Sequence, residues 1–141
     1  MKWTEKIPVS ELSGEITEQT VDFARRFGTH LGVNDEAPDK YGKLKVVAAK
    51  LTSNQLRKFF GEVKRQQMQG YNKTDFIMLK PKLAYAVGRA DKSSKIKDLY
   101  FVLSDAIDNV SDEKGFQNFI AIFEAIVAYH KAAEIGQKLT D

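Results

Sequence analysis

Phe116-Gln117-Asn118-Phe119-Ile120-Ala121-Ile122-Phe123-Glu124-Ala125-Ile126-Val127-Ala128-Tyr129 is apolar around nearly its whole circumference when wound as a helix. Phe116, Phe119, Ile120, Phe123 and Val127 fall on one face, and Ile122, Ile126 and Tyr129 on another. A narrow polar line remains through Gln117, Glu124 and Lys131. A helix with so little polar surface is enclosed by other helices. This segment, about residues 112–137, is therefore expected at the centre of a bundle, with Glu124 paired to a basic residue of a neighbouring helix.

The preceding residues supply the surrounding helices. From about Glu15, the apolar residues Ile16, Phe23, Phe27 and Leu31 recur near helical spacing, and Glu15, Glu18 and Asp22 complement the dipole of the first turns. Residues 32–42, rich in turn formers, read as an exposed connection. Thr52 with Gln55 three positions later is a capping-box pattern ahead of the stripe Leu56, Phe59, Phe60 and Val63, and Gly70 marks the stop. A third helix presents Leu79, Leu83, Ala86 and Ala90. Its start is expected near Pro81, because a proline deep inside a helix removes a backbone bond. Ser93 or Ser94 caps a fourth, with Ile96, Leu99, Leu103 and Ile107 inward and Asp98, Asp105 and Asp108 outward. Leu44–Ala48 alone is ambiguous between helix and strand. The expected fold is all-α, a single compact bundle of about five helices over residues 15–141, preceded by a loosely ordered segment 1–14.

The 141 residues suffice for one core, and no apolar run approaches the roughly 20 residues a membrane span requires. The chain has no cysteine, which removes thiol nucleophiles and sulfur-ligated metal centres. Without a recognisable secretory signal, a cytoplasmic location is expected. No cofactor is expected. His130 and Glu134 have the i, i+4 spacing of a metal pair but lack an evident third ligand, so no metal site is assigned and His130 reads as structural or surface. No phosphate loop, nucleophile elbow or paired acids appear, and enzyme activity is not expected.

Charge carries the functional signal. Residues 43–97 hold 14 of the 22 Lys and Arg but three of the 19 acids, so a basic middle lies between acidic ends. Such segregation fits a polyanionic partner, nucleic acid first. On the second helix Arg57, Lys58, Lys64 and Arg65 lie opposite the apolar stripe. On the third, Lys82, Tyr85, Arg89 and Lys92 form a strip whose tyrosine either stacks on a base or sits half-buried beside the core. Gly61 and Gly88, unfavourable inside helices, are expected at helix crossings rather than beneath a phosphate backbone. Two other readings stay open. One is a sequence-specific DNA-binding regulator using Asn54, Gln55, Gln66, Gln67 and Asn72 as base readers, and the other is a protein–protein adaptor.

Three segments carry a family resemblance: residues 51–60 (LTSNQLRKFF), residues 79–89 (LKPKLAYAVGR), and residues 116–129 with FEAIVAY at their end. In this order, over about residues 44–133, the chain resembles the small subunit of the type III-A CRISPR Csm effector complex. The resemblance implies an all-helical, non-catalytic antiviral-defence protein. It would be present in several copies, stacked as a filament beside the other subunits and lying along guide RNA and target RNA. The matching cations Arg57, Lys58, Lys64, Arg65, Lys80, Lys82 and Arg89 would then meet RNA phosphates.

Overall fold

The C-terminal helix α7 (Glu113–Leu139) carries much of the buried core; the computed structural model describes residues 3–139. Helices α1 (Val9–Ser13), α2 (Glu18–Leu31) and α3 (Ser53–Gln69) all lie against it. Its Phe116, Phe119, Ile120, Ile122, Phe123 and Ile126 are buried. The rings continue the core in both directions: Phe123 meets Phe59 and Phe60 of α3. Phe116 and Phe119 meet Phe76 edge-on, at ring-centre distances of 5.4 and 5.1 Å. Edge-to-face geometry adds a modest quadrupole attraction to the hydrophobic gain of burying these rings.

The closest approach is between α2 and α7. A Cβ placed on Gly28 would stand 2.6 Å from the Ile126 carbonyl oxygen and 2.8 Å from Tyr129 Cβ; one on Gly32 would stand 2.7 Å from the His130 carbonyl oxygen. These two glycines, one turn apart, form the notch that lets the helix backbones meet. Gly61 and Gly88 do not mark crossings as expected, since a Cβ on either meets nothing within 4 Å.

Cap chemistry fixes the helix starts. Thr52 Oγ1 accepts from the Gln55 N–H while Gln55 Oε1 accepts from the Thr52 N–H, which completes the capping box read from sequence. A second box, Thr17 with Thr20, starts α2 at Glu18, three residues later than expected. Ile16 consequently falls outside the helix and is exposed. Pro81 is the third residue of α5 (Leu79–Arg89), where its missing N–H falls among the donors a helix start leaves unbonded. The residues before it form the separate short helix α4 (Lys73–Ile77), capped by Asn72. Helix α6 (Ile96–Asp108) begins after Lys95, with the Ser94 hydroxyl accepting from the Ile96 N–H.

The fold is mostly helical but not all-α. Strands β1 (Asp35–Pro38) and β2 (Leu44–Ala48) form an antiparallel hairpin. Its turn is made by Asp39, whose carboxylate accepts from the N–H groups of Tyr41 and Lys43, and by Gly42 at φ 78°. The β-branched Val46 and Val47 suit a strand, and the ambiguous run resolves that way. The base of the hairpin is tied down by Ala49, which exchanges backbone bonds with Ser93 and Lys95. The buried Lys95 ammonium donates to the carbonyls of His30 and Val33, each at 2.7 Å, and to Asp35 Oδ1 at 2.9 Å. All three of its donors are thereby used.

Residues 3–14, expected as a loosely ordered lead-in, pack onto the bundle. Ile7 and Leu12 are buried, and Trp3 lies against Phe23, Phe27 and His30. The Asn118 side-chain amide on α7 donates to the carbonyls of Leu12 and Gly14, which anchors α1. Asp98 also departs from expectation: it is buried against His30 Nε2 at 2.7 Å rather than displayed on an acidic face.

Candidate nucleic-acid interface

Four of the expected cations share α3. Winding at about 100° per residue puts Arg57, Lys58, Lys64 and Arg65 four and three positions either side of Gly61, so they ring an exposed, side-chain-free patch of helix backbone. Arg57 and Lys64, seven apart, share the flank toward α7, where Lys64 Nζ approaches Glu124 Oε1 at 3.7 Å. That contact supplies the basic partner expected for Glu124. Lys58 and Arg65 share the flank toward α5.

On α5 the three expected cations divide. Lys82 and Arg89 stand on the same side as Tyr85, a residue 67% exposed whose ring lies 5.6 Å from the Arg89 guanidinium carbon. Tyr85 is thus a surface ring rather than a half-buried one. Lys92 lies past the end of α5 and does not extend the strip. Lys80 points to the opposite flank and pairs with Asp108 of α6 at 2.6 Å.

Between α3 and α5 runs a groove of about 570 Å³. Lys58, Lys82 and Arg89 stand around it, with Phe59, Ala86 and Ile96 as apolar lining. Glu62 is the one carboxylate along it and the residue that sequence reading missed. It accepts from Arg65 at 2.6 Å and from Lys82 at 2.7 Å, which joins the two helices. Arg65 first, then Lys82, pulls its carboxyl down to about 2, so it stays ionised throughout the neutral range. The i, i+3 spacing of Glu62 and Arg65 was visible in sequence; the reach to Lys82, twenty positions on, was not.

The face is therefore partly neutralised from within the chain. Lys64, Arg65, Lys80 and Lys82 each have a carboxylate partner, whereas Arg57, Lys58 and Arg89 make no ion pair among the described residues. Lys80 and Asp108 belong to the opposite flank, so on the face itself two carboxylates, Glu62 and Glu124, stand against six cations, and the sign of the surface survives. These pairs are solvated, and exposed pairs contribute about 0–1 kcal/mol each. A phosphate can therefore share the cations of these pairs while the pairs stay in place.

The five side chains considered as DNA base readers are mostly committed elsewhere. Gln66 is buried and donates to the Asp75 carbonyl, Gln55 and Asn72 cap helices, and Gln67 donates to Gln117. His130, also buried, holds its Nε2 at 2.6 Å from the Leu51 carbonyl, so that nitrogen carries the proton and closes the core. Among the described residues no cluster of three or more His, Asp or Glu is placed to hold a metal, and no helix is long and apolar enough to cross a membrane.

The fold and this face define a class: a small, mainly helical protein with a cationic groove between two of its surface helices, α3 and α5. The family model described as Csm2 Type III-A matches residues 31–135, and the chain belongs to that family, the small structural subunit of the type III-A CRISPR Csm complex. The match takes in α3, α5 and nearly all of α7 and leaves out α1 and most of α2. No curated protein and no solved structure matches the chain.

Proposed function

We propose that this chain is a non-catalytic subunit, several copies of which stack as a filament inside a cytoplasmic type III-A effector. Each copy lays its α3–α5 face along the phosphate backbone of guide and target RNA. The observation that carries this reading is the ring of Arg57, Lys58, Lys64 and Arg65 around Gly61, where an added methyl would meet nothing within 4 Å among the described residues. A glycine inside a helix costs about 1 kcal/mol relative to alanine. No packing need accounts for that cost here, and close approach of a ribose-phosphate chain does. Such contacts act through charge and counterion release, hence with little dependence on base sequence. The commitment of Gln55, Gln66, Gln67 and Asn72 to internal bonds weighs against a helix that reads base edges in a DNA groove.

The test is replacement of Arg57, Lys58 and Arg65 together by Ala, followed by purification of the assembled effector and measurement of target-RNA capture. Reduced capture with unchanged subunit recovery and thermal unfolding is expected. Unchanged capture would remove this face from the RNA path.

A further inference from the structure

Resting on the RNA-binding reading above, we infer that the α3–α5 groove is a seat for one unstacked nucleobase of single-stranded RNA, distinct from the phosphate track around Gly61. Two features of the groove require more than phosphate contact. Phosphates need cations alone, yet the groove pairs its rim of Lys58, Lys82 and Arg89 with an apolar lining that includes Phe59 and Ala86. Tyr85 also keeps a large ring in water, with Arg89 against it, although an aromatic side chain gains by burial. A base supplies flat apolar faces for the tyrosine and the guanidinium, while its flanking phosphates meet the rim. The volume falls within the roughly 300–1,000 Å³ of small-ligand sites. Glu62, the one carboxylate at the groove, does not repel the strand, because Arg65 and Lys82 hold its oxygens. The surplus of positive charge and the flat ring together favour a nucleotide over an aliphatic peptide side chain.

The full-length protein is titrated with a short fluorescent oligouridine and with an abasic oligomer of the same length and phosphate count. The base-bearing strand is expected to bind at least about fivefold tighter, the lower end of what one stacked base contributes. Tyr85→Ala is expected to abolish that preference without altering thermal unfolding or the salt dependence, while Tyr85→Phe retains it. Equal, salt-sensitive binding of both strands by the unaltered protein would overturn the base seat and leave the phosphate face standing. Failure to bind either strand would overturn the RNA reading itself. Binding of an acidic, leucine-rich peptide that is lost in Tyr85→Ala, with no preference between the strands, would assign the groove to a protein segment and overturn the inference.

Discussion

Gly28 and Gly61 stand in equally regular helices with opposite surroundings. At Gly28 a methyl group would enter the carbonyl of Ile126, so Gly28→Ala is expected to destabilise the fold by about 1–3 kcal/mol through overpacking, read by urea denaturation. At Gly61 a methyl meets open space, so Gly61→Ala is expected to raise stability by up to about 1 kcal/mol. The same variant should weaken RNA capture, since the methyl stands where the phosphate chain approaches. Gained stability with undiminished capture would take Gly61 out of the contact. Sequence alone could not separate the two glycines: both break a helical pattern, and only the position of α7 shows which one is a notch. The cations are legible one by one, because helical winding fixes their direction relative to Leu56 and Val63. Their partners are not, since Lys80–Asp108 and Lys82–Glu62 depend on how α5 sits between α6 and α3.

The elements most legible in the sequence carry their own local chemistry. The Thr52–Gln55 box starts α3, Gly70 at φ 91° ends it, and the near-continuous apolar surface of α7 marks the centre. The hairpin and the N-terminal segment were obscured because distant residues hold them. Residues 3–14 have no apolar period of their own and depend on Asn118 of α7, and the base of the hairpin depends on Lys95. Lys95 looks in sequence like one more surface cation of the basic segment, yet it is 2% exposed. Lys95→Met keeps the aliphatic stem and removes three donors, leaving the carbonyls of His30 and Val33 without them. The expected loss is about 2–4 kcal/mol in chemical denaturation. A loss below about 0.5 kcal/mol would show that the hairpin does not need the ammonium.

Across the whole molecule, the separation of charge visible in the sequence survives folding in reduced form. The acidic residues outside the basic segment are partly consumed: Glu124 and Asp108 reach back to Lys64 and Lys80, and Asp98 turns inward to His30. The α3–α5 surface stays outward-facing and basic, as do Lys43 and Lys45 of the hairpin, and both lie within the span matched by the family model. The most direct measurement of its role is the salt dependence of single-stranded RNA binding by the free protein, compared with the Arg57→Ala/Lys58→Ala/Arg65→Ala variant. Each phosphate contact adds roughly 0.7 to the slope of log affinity against log salt. The account predicts a slope of about 2–3 in magnitude for the unaltered chain and a loss of about 2 in the variant. Equal slopes for the two proteins would contradict it.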